Sequence, residues 1–242
     1  MTAPGQLALL SARHAPRVPG IDLRCCDVAQ VLASVEAGSV SLVVADPPWD
    51  LYQREPGRAD PSLQYSLLTE MQIGEHLATA AGLLTAGGRL ALWTCWPLLV
   101  DALSAAERPP WLDVPGLSWR TGGAWTKTGS APGVGYHWRG KSEPVLLGCV
   151  EGASGRPAAL VRSGYASDPE EHSRKPAEWM ADWVRAWVPP GGLVLDLYAG
   201  LGSVPEAVVL AGEGRRYLGA EIDTERHAAA LTRVWRAYRR TP

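Results

Sequence analysis

The stretch Ser41-Leu42-Val43-Val44-Ala45-Asp46-Pro47-Pro48-Trp49-Asp50 decides the fold of this 242-residue chain. It begins with a short apolar run rich in β-branched residues, which predicts a buried strand. The two prolines have no backbone N–H, so the strand must end there, and a residue before proline is held extended. Asp46 and Trp49 are therefore expected at the carboxyl end of a strand, where open α/β sheets bind ligands. The alternative is a structural Asp-Pro-Pro turn beside a core tryptophan.

Strand and helix patterns alternate on both sides of this stretch. The order predicts an α/β fold with a mostly parallel central sheet and helices on both faces. The predicted strands cover residues 21–27, 41–46, 89–95, 117–128, 143–150, 193–197 and 216–222. The predicted helices cover residues 28–36, 69–84, 97–107, 176–188, 204–212 and 224–239. Gly87-Gly88 is expected to end the second helix. Trp179, Trp183 and Trp187 form a stripe on the fourth helix that is typical of core packing, with an oligomer interface as the alternative.

Composition narrows the class of protein. The net charge is −2, from 23 Lys and Arg against 25 Asp and Glu, so any nucleic-acid-binding surface must be a local patch. The cysteines have neither zinc-ligand nor disulfide spacing, and we interpret Cys25, Cys26, Cys95 and Cys149 as buried thiols of a reducing compartment. No metal site is indicated. The sequence has no apolar run of transmembrane length and no visible secretory signal, which predicts a cytoplasmic protein without a membrane partner.

Irregular segments separate the periodic ones. Residues 1–20 are expected to form a flexible amino-terminal arm, and residues 21–242 a single domain. Within it, residues 21–150 form one half, residues 151–175 an irregular loop, and residues 176–242 the other half. Residues 50–66 are long for a loop in a compact domain, which favours a lid or binding loop. Residues 129–141 form an aromatic and basic loop.

A second constellation lies in Asp196-Leu197-Tyr198-Ala199-Gly200-Leu201-Gly202-Ser203, between a predicted strand and a predicted helix. Its glycines allow a tight turn and close approach of a ligand. Glu221 follows about 20 residues after the glycines, a spacing that suits the two hydroxyls of a ribose. Glu206 in the first helical turn disfavours a pyrophosphate there, so a cofactor with a nucleoside and a cationic centre fits better than NAD. The alternative is a glycine-rich turn with a structural glutamate.

Taken together, these motifs resemble the S-adenosylmethionine-dependent adenine-N6 methyltransferases in the permuted (beta-class) arrangement, in the branch with Asp-Pro-Pro-Trp. That branch includes messenger-RNA adenosine methyltransferases and phage or bacterial DNA adenine methyltransferases. The resemblance covers residues 21–235. It is carried, in order, by Cys26-Asp27-Val28, Ala45 to Asp50, Trp125-Thr126-Lys127, Gly135 to Arg139, Glu143 to Gly148, His172 to Pro176, and Asp196 to Ser203 with Glu221. Tyr198 and Leu201 replace the Phe and Ser that DNA-methylating relatives often carry.

The resemblance implies a Rossmann-like methyltransferase fold and transfer of a methyl group from S-adenosyl-L-methionine to the N6 amine of adenine in DNA. Asp46 and the carbonyl of Pro47 in the Asp46-Pro47-Pro48-Trp49 tip would accept the amine hydrogens, and Trp49 would stack on the extruded base. The implied cofactor contacts are Asp27 and Val28 at the adenine, Lys175 at the carboxylate, Gly200, Gly202 and Ser203 around the methionine moiety, and Glu221 at the ribose. Asp196 is a further implied cofactor contact. The implied substrate contacts are Tyr52, Tyr65, Lys127, Arg139, Lys141, His172 and Arg174. Solvated surface charge is the alternative for the basic residues, and a proton-accepting role for His172.

Other functions remain open from the sequence. The same site would act on RNA, since no motif reads the 2′-hydroxyl. A cytosine-N4 enzyme would use the same chemistry, although its tip usually carries Ser in place of Asp46. A non-catalytic nucleic-acid-binding subunit of a methyltransferase pair would lack the catalytic acid or the cofactor loop, and a small-molecule methyltransferase would need no basic loops. The expected partner is nucleic acid, DNA before RNA, and the chain is expected to be a monomer or homodimer.

Overall fold

The computed structural model describes residues 17–49, 67–128, 141–153, 165–166 and 174–241. Several predictions from the sequence lie outside these residues. They are the amino-terminal arm up to residue 16, the loop at residues 50–66, most of the basic loop, most of the irregular loop before residue 174, and the substrate contacts Tyr52, Tyr65, Arg139 and His172.

In the described part of the chain, eight strands form one sheet in the order β1-β8-β7-β2-β3-β5-β4-β6. The strands are β1 (Ile21–Cys25), β2 (Val40–Ala45), β3 (Leu84–Trp93), β4 (Ser118–Thr128), β5 (Ser142–Cys149), β6 (Tyr165–Ala166), β7 (Leu193–Asp196) and β8 (Arg216–Glu221). β1, β8, β7, β2 and β3 are parallel to one another. β5 runs antiparallel to β3 and β4, and the two-residue β6 adds parallel to β4. The prediction of a mostly parallel sheet is confirmed.

The helices cover both faces of the sheet, as predicted. They are α1 (Val28–Ala33), α2 (Glu70–Gly82), α3 (Trp96–Ser104), α4 (Ala177–Trp187), α5 (Ser203–Ala211) and α6 (Thr224–Arg240). β2 lies at the centre, so Leu42 and Val44 pack with α4, α5 and α6, whereas Val43 and Ala45 pack with α1, α2 and α3. A strand buried on both faces needs a continuous apolar run, which explains the sequence of β2. Among the described residues, no helix is long and apolar enough to cross a bilayer.

The prediction that Gly87-Gly88 ends the second helix is wrong. α2 ends at Gly82, and both glycines lie inside β3. The N–H of Gly87 donates to the Glu151 carbonyl at 3.0 Å, and the Gly88 carbonyl accepts from Val150 N–H at 3.2 Å. A Cβ on Gly87 would lie 2.8 Å from the Gly152 carbonyl oxygen. The glycines therefore allow the chain beyond β5 to approach the start of β3 closely.

The tryptophan stripe of α4 is part of the core, as predicted. Trp179, Trp183 and Trp187 are buried, and the rings of Trp179 and Trp183 each lie 5.7 Å from that of Trp93 on β3. The prediction of buried cysteines holds only for Cys149. Cys26 and Cys95 are half-buried, and Cys25 is exposed because it ends the edge strand β1.

Candidate active site

The Asp-Pro-Pro-Trp tip follows β2 directly and is fixed by backbone hydrogen bonds. The N–H of Trp49 donates to the Pro47 carbonyl at 2.8 Å, and the N–H of Leu68 donates to the Pro48 carbonyl at 3.1 Å. The indole Nε1 of Trp49 donates to the Trp93 carbonyl at 3.1 Å. Because a carbonyl oxygen has two lone pairs, Pro47 keeps the capacity to accept one further hydrogen bond.

An alternating series of charges begins at Asp46. The ammonium of Lys175 lies 2.6 Å from Asp46 Oδ2 and 3.1 Å from Glu143 Oε2. Glu143 pairs in turn with Lys127. The Lys175 ammonium also lies 5.2 Å from the centre of the Trp93 ring, which adds a cation–π contact. Two carboxylates and two ammonium groups thus share one end of the sheet.

Burial and these contacts shift the pKa values of Asp46, Glu143 and Lys175. Burial raises the pKa of Asp46, and Lys175 opposes part of that shift. Burial would lower the pKa of Lys175, but the two carboxylates outweigh it and the pKa is raised. Burial would likewise raise the pKa of Glu143, but Lys175 and Lys127 outweigh it and the pKa is lowered. Lys175 and Glu143 are therefore both ionised at neutral pH, whereas the carboxylate of Asp46 takes up a proton more readily than that of an ordinary aspartate.

The glycine loop lies beside this tip because β7 and β2 are neighbours. Gly200 and Gly202 have φ of 53° and 82°, so the turn needs residues without a Cβ. The N–H of Gly200 donates to Glu221 Oε2 at 2.7 Å, and the N–H of Asp223 donates to Oε1 at 2.9 Å. Glu221 therefore ties the loop after β7 to the end of β8, and each of its oxygens keeps a free acceptor site.

Asp196 ends β7 with only 1% of its surface exposed. Its carboxyl group accepts from Tyr217 Oη at 3.0 Å and from the N–H of Tyr198 at 3.3 Å. Burial raises the pKa of Asp196 to about 7, although both hydrogen bonds favour the ionised form. The carboxyl group therefore titrates near neutral pH within the site.

Two adjoining cavities gather the predicted residues. The larger, of about 360 Å³, is lined by Asp27, Val28, Asp46, Pro47, Pro48, Trp49, Lys175, Gly200 and Glu221 among the predicted site residues. The smaller, of about 60 Å³, is lined by Asp46, Arg174, Lys175, Asp196, Gly200 and Ser203 among them. The tip and the glycine loop, which are about 150 residues apart in sequence, share one concave site of ordinary ligand-pocket size.

The larger cavity is not lined by Gly202, Arg174, Lys127 or Lys141, although each was predicted in the site. Gly202 packs against α6, where an added Cβ would lie 2.8 Å from Ala230 Cβ. Arg174, predicted at a phosphate, forms an ion pair with Glu206 at 3.1 Å. Lys127, also predicted at a phosphate, is paired with Glu143, and Lys141 is exposed just before β5.

Several lining residues were not predicted. Tyr198, His76, Leu68, Ile222 and Arg226 also line the larger cavity. His76 lies within a regular helix and Ile222 just beyond a strand, and neither position carries a local motif. The signal for Glu143 was present in the quoted Glu143 to Gly148 segment, but its partners depend on the fold.

Sequence comparison matches part of the chain to a protein family. Residues 155–232 match the family model described as DNA methylase, which covers N6 and N4 methyltransferases. No curated protein matches the chain by sequence.

Solved structures share the fold over nearly the whole chain. TTHA0409 of Thermus thermophilus, named as a candidate DNA modification methylase, has 21% identity over 93% of this chain and 97% of its own, with a TM-score of 0.66. M1.HpyAVI in complex with SAM has 16% identity over 88% of this chain and 98% of its own, with a TM-score of 0.63. The cytosine-N4-specific PvuII DNA methyltransferase has 14% identity over 93% of this chain and 94% of its own, with a TM-score of 0.62. The Rossmann-like methyltransferase fold is therefore confirmed, and the carboxyl-terminal part of the chain carries the DNA methylase sequence pattern.

Proposed function

We propose that this chain transfers a methyl group from S-adenosyl-L-methionine to the N6 amine of adenine in DNA. The observation that carries the proposal is the shared cavity, since Asp46 to Trp49 and the Gly200–Glu221 pair line the same 360 Å³ space. The DNA methylase match at residues 155–232 supports DNA as the substrate. The SAM complexes of TTHA0409 and M1.HpyAVI support the cofactor.

The residues present fit this cofactor. Glu221 offers carboxylate acceptors to ribose hydroxyls, and Val28 and Ile222 offer apolar contact to a purine. Asp27 caps α1 by accepting from Ala29 N–H at 2.8 Å and lines the cavity, where it can also accept from an exocyclic amine. Carboxylates near the site also favour a sulfonium cation over a phosphate. When bound, S-adenosylmethionine supplies an electrophilic methyl group on a positively charged sulfur.

The tip residues would activate the acceptor amine. Its lone pair is conjugated with the adenine ring, which makes it a poor nucleophile. Asp46 and the Pro47 carbonyl accept its two hydrogens, bend the nitrogen toward tetrahedral geometry and localise the lone pair. When bound, S-adenosylmethionine would supply the methyl group with loss of its S–C bond, and the spare proton of the methylated amine would leave to Asp46 or to water. Orientation and fixed electrostatics then supply most of the rate.

The target base must leave a duplex to reach the tip, at a cost of roughly a few kcal/mol. Trp49 is suited to receive it because its Nε1 hydrogen bond and an edge contact with Trp111, at 5.3 Å, hold its ring in place. Stacking on an aromatic ring returns about 1–3 kcal/mol. Lys141, which is exposed just before β5, would meet a phosphate of the bound DNA.

The carboxylate at position 46 favours adenine over cytosine, because cytosine-N4 enzymes usually have Ser there. The similarity to the cytosine-N4-specific PvuII enzyme makes cytosine the competing target. A non-catalytic subunit is less favoured, since Asp46 and Gly200 of the glycine loop both line the cavity.

The proposal is tested by incubating the full chain with isotopically labelled S-adenosylmethionine and either duplex DNA, single-stranded DNA or RNA. Nucleosides are then separated and identified by mass spectrometry. We expect labelled N6-methyldeoxyadenosine. Labelled N4-methyldeoxycytidine would correct the base, N6-methyladenosine in RNA alone would correct the polymer, and no transfer to any substrate would contradict the proposal.

A further inference from the structure

A hydrogen bond inside the larger cavity has no role in the chemistry described so far. His76 Nδ1 on α2 lies 2.8 Å from Tyr198 Oη, although the two residues are 122 positions apart. Both side chains are half-buried, and both line the cavity. Their rings are 6.1 Å apart and inclined at 47°, so the contact is made by the polar atoms rather than by stacking.

α2 is a rigid support for His76. Its first turn is closed by a capping box, in which Thr69 and Gln72 exchange hydrogen bonds. A Cβ on Gly74 would lie 2.6 Å from Pro110 Cβ, so the helix packs closely on its neighbour. A side chain on such a helix is held in place and can position a neighbouring side chain.

Tyr198, in contrast, belongs to the turn after β7. The same turn carries Gly200, whose N–H reaches Glu221, so the position of Tyr198 and the shape of the cofactor loop are linked. Burial lowers the pKa of His76 and raises the pKa of Tyr198, so the two groups form a neutral hydrogen bond. Asp27 acts electrostatically on both residues, which places the pair on the Asp27–Val28 side of the cavity.

We propose that His76 is a positioning residue that holds the Tyr198 ring as the wall of the cavity against the nucleoside part of the cofactor. This inference rests on the proposed function. It requires in addition that the His76–Tyr198 hydrogen bond contributes to the affinity for adenosine-containing ligands, whether or not the ligand has an amino-acid part.

The test measures the affinity of the full chain for S-adenosylhomocysteine and for 5′-methylthioadenosine, which lacks the amino-acid part, by titration calorimetry. His76→Leu and Tyr198→Phe should each lower the affinity for both ligands by the same factor, roughly three- to tenfold for the loss of one hydrogen bond. The double variant should lose no more than either single variant, since the two share one interaction. His76→Asn, which keeps a polar atom at the Nδ1 position, should recover most of the affinity.

His227→Leu is the matched control. This imidazole is also half-buried and its Nε2 lies 3.0 Å from the Leu23 carbonyl, but it belongs to a different contact, between α6 and β1. Its loss should leave both affinities unchanged. Three results would overturn the positioning role while the proposed function stands, provided that the unsubstituted chain binds both ligands. The His76 and Tyr198 variants could bind both ligands as well as the unsubstituted chain, or lose affinity for S-adenosylhomocysteine alone. The third such result is a double variant whose loss of affinity equals the sum of the two single losses. If the unsubstituted chain binds neither ligand, the proposed function fails as well.

Discussion

Asp46 and Lys175 form an ion pair at the tip, with Nζ 2.6 Å from Oδ2. The Asp46 side chain is still 38% exposed, because it faces the cavity. Its carboxylate can therefore hold Lys175 with one oxygen and accept from a substrate amine with its remaining acceptor sites. The two residues have different proposed roles, since Asp46 would act on the acceptor amine and Lys175 acts on the pKa of Asp46.

Asp46→Ala should abolish methyl transfer while changing affinity for S-adenosylhomocysteine by no more than about threefold, since the carboxylate acts on the acceptor amine. Transfer is followed by label incorporation into DNA, and affinity by calorimetry. Met71→Ala, at an exposed position of α2, is a matched surface control that should keep both properties. Residual transfer by the Asp46 variant at a rate near that of the unsubstituted chain would remove Asp46 from the catalytic role.

Lys175→Met should shift the acidic limb of the rate–pH profile to higher pH. Lys175 opposes the upward shift that burial imposes on the pKa of Asp46. Without the ammonium group this pKa rises further, so Asp46 becomes ionised only at a higher pH. The profile is measured with saturating cofactor and DNA. A profile that does not move, together with weaker cofactor binding, would instead support the role that the sequence suggested for Lys175, at the carboxylate of the cofactor.

Asp196 makes stability depend on pH near neutrality. Its pKa in the folded chain is about 7, above the ordinary value of an aspartate. Between about pH 4 and pH 7 the folded state keeps a proton that the unfolded chain has released, so the free energy of unfolding falls as pH rises through this window. Asp196→Asn cannot titrate, so its stability relative to the unsubstituted chain should improve across the window, by on the order of 4 kcal/mol at most. Urea unfolding at several pH values measures the difference, and parallel curves for the two proteins would contradict it.

At the scale of elements, the start of α5 depends on a glycine for packing. Gly202 has φ of 82°, and an added Cβ would meet Ala230 Cβ at 2.8 Å and Ala230 Cα at 3.0 Å. Gly202→Ala should therefore destabilise the fold by roughly 2 kcal/mol or more, from backbone strain and overpacking together. Gly38→Ala separates the two terms, because Gly38 has φ of 71° with no atom within 4 Å of an added Cβ. Equal losses of unfolding free energy in the two variants would show that contact with α6 contributes nothing.

The glycines also show where sequence reasoning about elements succeeds and fails. Gly200 and Gly202 were placed correctly in a turn between strand and helix, because a change of hydrophobic period on both sides marked the turn. Gly87 and Gly88 followed a helical pattern in the same way and were taken for a helix end. Their actual partners are Glu151 and Val150, which are distant in sequence, so no local pattern could reveal that β3 begins at Leu84.

For the whole molecule, the sequence predicted the site best where residues sit at the carboxyl ends of strands. Parallel strands bring those ends together whatever the exact strand order, so Asp46 and Asp196 were expected at one edge. The Lys175–Glu143 pair and the His76–Tyr198 pair were not predicted. Each joins a strand, helix or loop to a distant segment, and side-chain contacts of that kind depend on strand order and helix packing rather than on spacing.

The strand order also predicts how the chain unfolds. β1 pairs with β8, and β7 lies between β8 and β2, so residues 21–150 and 176–242 interleave in one sheet. Among the described residues, each of the two hydrophobic clusters contains side chains from both halves, so the halves should unfold in a single transition. Urea curves from far-UV circular dichroism and tryptophan fluorescence should coincide.

S-adenosylhomocysteine at 100 times its dissociation constant should shift both curves by about 2.7 kcal/mol, because the ligand contacts only the folded sheet. At the same ligand concentration, Glu221→Gln should show a smaller shift, since the substitution weakens the acceptor proposed for the ribose while leaving β8 in place. Two separate transitions, or a ligand shift seen by one probe alone, would mean that the halves fold independently and that the cavity is not a property of the whole sheet.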